Sequence, residues 1–338
     1  VSPHPKSTRT FTTSTADTEV TALAGASSAP LEVALRAEGM PWQQYVRAGD
    51  STGKGFEIGS VSKVLTGALL GVLVEAGEVD PETPVDHLTG QRLPWPGRPP
   101  TLVELATHRS GLPNTPARLR WREAAIATGM SRKDPWRRTD AAAYQRHLAR
   151  AASRARTEGR FLYSSMGVGL LADALAASTG HPFAELIDQR LLRPLKMNRT
   201  NLDRPELGQE VVVTPQNRRG ESVPYLRDHM PGAGMFASTL DDLQLLLDAL
   251  RSPRDGDPVI SGLQRSITPQ HHIREGLSIG YCWLIEENEN GTIVHHNGGT
   301  WGSQAHVSLH VDRGRAVVAL SGTYRDLDGF AFRFLGAS

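Results

Sequence analysis

The sequence predicts an α/β (α+β) fold: an antiparallel sheet built from both chain ends, flanked by helices, with a mainly helical lobe inserted between them. Three observations predict it. Strand-like runs lie near the start and crowd the last third. The middle is helical in period and poor in β-branched residues. A length of 338 residues with 39% apolar content is enough for a large core.

Residues 1–29 are rich in Ser, Thr and Ala, with no apolar run, and read as a flexible lead-in. Strands follow at Leu31–Leu35 and Trp42–Arg47. After Ser60 the apolar residues Val61, Val64, Leu65, Ala68, Leu69, Val72 and Leu73 recur at helical spacing, and Gly77 is a natural stop. A proline-rich connection (Pro81 to Pro100) leads to a short helix at Leu102–Thr107. Residues 116–159 read as helical and arginine-rich, Met166–Ser178 as an amphipathic helix stopped by Gly180, and Phe183–Leu192 as another. A further helix spans Asp241–Leu250. Strands then fall at Ser278–Glu286, Thr292–His296, Ala305–Val311 and Ala316–Gly322, separated by turns such as Asn290-Gly291, and a helix at Asp326–Leu335 closes the chain. The predicted organisation is a sheet domain from residues 30–80 and 200–338 and a helical lobe from 81–199.

Composition narrows the function. Net charge is +1, so nothing global calls for nucleic acid or a membrane surface, and no nucleic-acid motif is present. No apolar run approaches the ~20 residues of a membrane span. Cys282 is the single cysteine, which excludes an internal disulfide and reads as a buried strand residue. The histidines at 271–272, 295–296, 306 and 310 lack the partner spacing of a metal motif and fall on different strand faces, so no metal and no cofactor is expected. Lacking a recognisable leader, the chain is expected in the cytoplasm, or outside the cell if a leader has been removed.

Three constellations carry chemistry. Ser60 and Lys63 stand at i and i+3, on one helix face, where an amine can take the proton of a hydroxyl nucleophile. Burial of that helix predicts a desolvated Lys63. Tyr163, in Leu162-Tyr163-Ser164-Ser165, precedes a strong helix; a phenol beside an ammonium can shuttle protons. His295-His296-Asn297-Gly298-Gly299-Thr300-Trp301 ends a strand in glycines that let backbone approach a ligand. Each also has a plain structural reading, as a helix cap, a core tyrosine and a hairpin turn.

Taken in order, Ser60-x-x-Lys63, Tyr163-Ser164-Ser165 and His296-Asn297-Gly298 resemble the three motifs of the β-lactamase-related, penicillin-recognising serine hydrolases. The branch with class C β-lactamases, DD-peptidases, family VIII esterases and some acyltransferases is the nearest. Leu105-Ala106-Thr107-His108-Arg109-Ser110-Gly111-Leu112-Pro113 is similar to the family's Leu-Leu-Thr-His-Thr-Ser-Gly-Leu-Pro, and Pro231–Ser238 to its glycine-rich approach to a helix. The resemblance implies Ser60 as nucleophile, Lys63 as its activator and Tyr163 as general acid and base. It implies the Ser60 and Gly299 N–H groups as an oxyanion hole, a structural His108, and Ser165, His296, Asn297, Gly298 and Trp301 as substrate-binding residues.

Two departures stand out. Ser165 replaces the family's Asn two residues after the tyrosine, and His296 stands where Lys-Thr-Gly begins, with no lysine beyond Lys196. The expected activity is therefore acyl transfer from a small ester or amide to water, an amine or an alcohol. A β-lactamase or DD-peptidase is the alternative, and a non-catalytic binding or sensor domain the alternative of another class. Twelve basic residues between Arg118 and Arg160 add an anionic substrate as one expectation, solvated helix faces being the other. The oligomeric state is open.

Overall fold

The structure, a computed structural model, describes residues 13–156, 159–202, 212–251 and 256–336. Its strands are β1 (Leu31–Arg36), β2 (Gln43–Arg47), β3 (Phe56–Glu57), β4 (Ala237–Ser238), β5 (His271–Arg274), β6 (Leu277–Ile279), β7 (Leu284–Asn288), β8 (Gly291–Gly299), β9 (Gln304–His310) and β10 (Arg315–Ser321). Eight form one antiparallel sheet in the order β2-β1-β10-β9-β8-β7-β6-β5, and β3 pairs with β4 apart from it. The chain ends meet where β1 pairs β10, Leu31 opposite Ser321.

Twelve helices are described: α1 (Thr13–Ala24), α2 (Ser62–Glu75), α3 (Val85–Thr89), α4 (Leu102–Ala106), α5 (Arg120–Ala127), α6 (Ala141–Ala152), α7 (Ser165–Thr179), α8 (Phe183–Ile187), α9 (Pro231–Gly234), α10 (Leu240–Arg251), α11 (Pro258–Ser266) and α12 (Leu327–Leu335). Strand alternation separates two cores. Ala316, Val318 and Leu320 of β10 face the large core with α2, α7 and α10. Val317 and Ala319 face a smaller core with α1 and α12. Helix α2 is buried from Ser62 to Leu73, apolar all round except at Ser62, Lys63 and Thr66. It ends in a Schellman turn, Glu78 N–H to Leu73 O at 2.9 Å and Gly77 N–H to Val74 O at 3.0 Å, with Gly77 at φ 70°.

Three expectations are corrected. The flexible lead-in holds helix α1, whose Ala16, Val20 and Ala24 pack under the sheet; three small apolar residues four apart cover one narrow face without an obvious hydrophobic run. Residues 1–12 lie outside the described residues. The strand over Ser278–Glu286 is split into β6 and β7, and Cys282 lies between them at φ 64°, its N–H on Ala106 O at 3.0 Å. Its thiol is pushed up to about 12 by burial. His295 and His306 share one sheet face, rings 6.3 Å apart, while His296 faces the other way. Among the described residues no three His, Cys, Asp or Glu side chains converge as a metal site, and no helix is long and apolar enough to cross a membrane.

Candidate active site

A 3₁₀ turn, Gly59–Val61, feeds α2 and sets Ser60 at the helix entrance. Lys63, wholly buried, donates to Ser60 Oγ at 2.9 Å and to Ala233 O at 2.7 Å. The α9 segment is locked on α2 by two more bonds: Thr66 Oγ1 to Gly232 O at 2.7 Å, and Phe236 N–H to Ser62 Oγ at 3.2 Å. The carbonyl that holds Lys63 thus comes from 170 residues away, and no side-chain pattern announces it.

Tyr163 lies over Lys63, with Nζ 5.0 Å from the ring centroid. Its other neighbours are the rings of His108 at 4.5 Å and His296 at 6.2 Å. His108 sits at φ 57° and accepts the Ser164 N–H on Nδ1 at 3.2 Å, while its carbonyl accepts the Leu162 N–H at 2.7 Å. Burial, then the charge of Lys63, hold His108 well below the usual histidine range, so it is a neutral wedge positioning residues 162–164. Ser164 caps α7 through Gly167 N–H at 2.8 Å, which orients the tyrosine just before it.

The end of β8 runs against the Ser60 turn. A Cβ on Gly298 would lie 1.9 Å from Ile58 O and 3.0 Å from Ser60 N; one on Gly59 would lie 2.6 Å from Gly299 N. Only glycine allows this approach, which brings the Ser60 and Gly299 backbones side by side. Buried Glu57 fastens the neighbourhood, accepting Leu226 N–H and the Thr300 hydroxyl, each at 2.7 Å. Glu57 was missed in the sequence, although a carboxylate in the run Phe56-Glu57-Ile58 is a visible oddity.

His296 faces Tyr163 and Lys63 behind the Ser60 cavity, and its chemistry is that of a neutral ring. Burial, then the charge of Lys63, push it down to about 3. Its Nδ1 must donate to the carbonyl of Asn297, which leaves Nε2, buried and unpartnered, as an acceptor. Asn297 is a correction. It alternates to the opposite face, where its amide donates to Asp328 of α12, and His306 Nδ1 meets the same carboxylate at 2.7 Å.

A cavity of about 330 Å³ opens on Ser60, and Ser165, Gly299 and Trp301 line it. Gly298 instead lines a separate cavity with Asn297 and Asp328 on the α12 side. The Ser165 hydroxyl donates to Asn114 Oδ1 at 2.7 Å, so an amide follows the Ser110-Gly111-Leu112-Pro113 turn where the tyrosine motif has none. The twelve basic residues of the lobe are all exposed, and none lines this cavity. Among the described residues its ionisable side chains, apart from Tyr324, are two carboxylates, Glu123 and Asp228, neither foreseen from the sequence. Glu123 accepts from Thr115 Oγ1 at 3.0 Å and Trp136 Nε1 at 3.1 Å; Asp228 accepts from Met230 N–H at 2.7 Å.

A family model of beta-lactamases matches residues 17–331. The chain belongs to the beta-lactamase family. As such it is a member of a serine hydrolase family that includes β-lactamase and DD-carboxypeptidase homologues. The D-alanyl-D-alanine-carboxypeptidase/endopeptidase AmpH of Escherichia coli is 33% identical over 147 residues, covering 42% of this chain but only 35% of that protein. A β-lactamase of Pseudomonas fluorescens is 25% identical over 313 residues, 79% of this chain and 78% of the relative. Among solved structures, the octameric penicillin-binding protein homologue from Pyrococcus abyssi superposes with TM-score 0.80 at 19% identity, covering 96% of this chain and 77% of that one. A class C β-lactamase from Rhodobacter sphaeroides gives 0.76 at 16%, covering 95% and 97%. These two likenesses establish the fold, an antiparallel sheet flanked by helices.

Proposed function

We propose that this beta-lactamase family member is a serine acyl-enzyme hydrolase or transacylase for a small ester or amide. The observation that carries the reading is the 2.9 Å contact between Ser60 Oγ and a fully buried Lys63 Nζ. As Ser60 Oγ bonds to the substrate carbonyl carbon, its proton passes to the Lys63–Tyr163 pair. The carbonyl oxygen becomes an oxyanion facing the Ser60 and Gly299 N–H groups. On collapse the leaving alcohol or amine departs with a proton relayed by Tyr163. Water, an amine or an alcohol then attacks the acyl-Ser60 ester, surrenders its proton along the same route, and restores the hydroxyl. Ser165 and Trp301 line the space for the acyl group.

The test is steady-state release of nitrophenol from p-nitrophenyl acetate, with added amines as competing acceptors. Ser60→Ala is expected to remove turnover, and a fully active variant overturns the reading. The relatives' names favour a second reading, a β-lactamase or DD-peptidase. Against it stands neutral His296 where the family's carboxylate-binding lysine would be. Turnover of a chromogenic β-lactam at rates matching the ester would reverse that order.

A further inference from the structure

Resting on the acyl-enzyme reading, we infer that the Ser60 cavity selects substrates carrying a cationic group, held by Glu123 and Asp228 beside Trp301. Four observations converge on it. The first is the sign of the wall: the cavity's ionisable lining comprises the two carboxylates and the Tyr324 phenol, while the arginines of the surrounding lobe point to solvent. Helix α5 shows the division within one turn, with Arg120 and Arg122 outward and Glu123 inward.

The second is that both carboxylates are half-buried and neither is ion-paired among the described residues. Buried charge is ordinarily paired, and an unpaired carboxylate gains most from a partner brought by the ligand. Burial pushes Asp228 up to about 6 despite the nearby Lys63, and Glu123 is raised by burial too. The third is the free oxygen of Glu123: Thr115 Oγ1 and Trp136 Nε1 both donate to Oε1, which leaves Oε2 of this cavity residue without a hydrogen-bond donor among the described residues.

The fourth is what the lining lacks: among the described residues no cationic side chain stands in it to meet a substrate carboxylate, and His296, neutral and outside the lining, supplies none. One aromatic ring of the lining, Trp301, suits a cation's approach, whereas the Tyr324 ring already carries the Arg218 guanidinium 5.2 Å from its centroid. The acyl donors that fit are esters or amides of amino-substituted acids, and the acceptors are amines.

The test uses three p-nitrophenyl esters of similar shape on the full chain: 4-(trimethylammonio)butanoate, its uncharged isostere 5,5-dimethylhexanoate, and monoglutarate. Acylation of Ser60 is read by nitrophenol burst and intact mass. The cationic ester is expected to acylate about tenfold faster than the neutral one, and the anionic about tenfold slower, a gap of the size of one well-placed charge interaction. In Glu123→Gln and in Asp228→Asn the cationic-to-neutral ratio should fall towards one. Equal rates for the three esters with wild type overturn the inference while leaving acyl-Ser60 intact, and they do so whether or not the variants fold. A ratio unchanged in both variants overturns the assignment to these two residues. No adduct from any ester overturns the acyl-enzyme reading itself.

Discussion

Strand β8 presents two faces built from alternating residues of one short run, and they behave as different materials. On one face His296 turns towards Lys63 and Tyr163 and is held neutral by burial and by that ammonium. On the other, away from Ser60, Asn297 and His306 bond Asp328 of α12, and the rings of His295 and His306 pack edge-on against Phe332. The comparison teaches that side chains adjacent in sequence can be chemically remote. Period-two alternation separates a reactive face from a fastening face with one backbone serving both. Glycines 298 and 299 then end the strand, where backbone replaces side chain as the working surface.

The largest effect that would break this contrast is on the reactive face. Lys63→Ala is expected to lower the acylation rate about 10²–10⁴-fold, as for other lost acid/base groups, measured by stopped-flow nitrophenol release. Retained rate would mean that Ser60 draws on another base. Gly298→Ala comes next: its Cβ would meet Ile58 O at 1.9 Å, so backbone must move. A stability loss of about 3 kcal/mol or more by urea titration, with acylation lost alongside, is the expected outcome.

A third variant works in the opposite direction. Asp228 is raised to about 6 in the folded protein, against about 3.9 for an unfolded carboxyl. The folded state therefore holds the proton more tightly, and stability is lost as pH rises from about 4 through 6. Asp228→Asn can still accept the Met230 N–H and escapes this loss. It should be more stable than wild type by about 1–2 kcal/mol above pH 7, with the difference vanishing near pH 4. A constant difference across that range would place the effect in packing instead.

The smallest effect belongs to the fastening face. Asn297→Ala removes one side-chain bond to Asp328 and should cost about 1 kcal/mol. Turnover should stay within about twofold, since its side chain faces away from the Ser60 cavity. A loss approaching that of Lys63→Ala would return Asn297 to the substrate side and collapse the distinction.

Much of the frame was legible in the sequence. Apolar spacing after Ser60 marks a buried helix because every turn of it is covered, and the terminal strands show because each has a core side. Ser60, Lys63 and Tyr163 come together as their motifs imply. The same alternation that identified β8 would have turned Asn297 away had it been followed residue by residue. What escaped reading were long-range partners: the Ala233 carbonyl, Glu57 under Thr300, and Glu123 and Asp228 in the cavity wall. A carbonyl has no signature in sequence. A carboxylate inside an arginine-rich helix is outvoted by its neighbours until the helix's inward face is known: the arginines are the solvated faces that were one of the two expectations, and Glu123 stands behind them in the cavity wall. Helix α1 was hidden for another reason: alanines and one valine cover its face, and their spacing carries little apolar contrast.

The proposed covalent acyl intermediate on Ser60, activated by Lys63, is open to a single test, intact-protein mass after brief exposure to p-nitrophenyl acetate, with wild type beside Ser60→Ala. A single acetyl adduct is expected on wild type, absent from the variant and discharged by added amine. An adduct of equal yield on folded Ser60→Ala, or none on folded wild type, would contradict it.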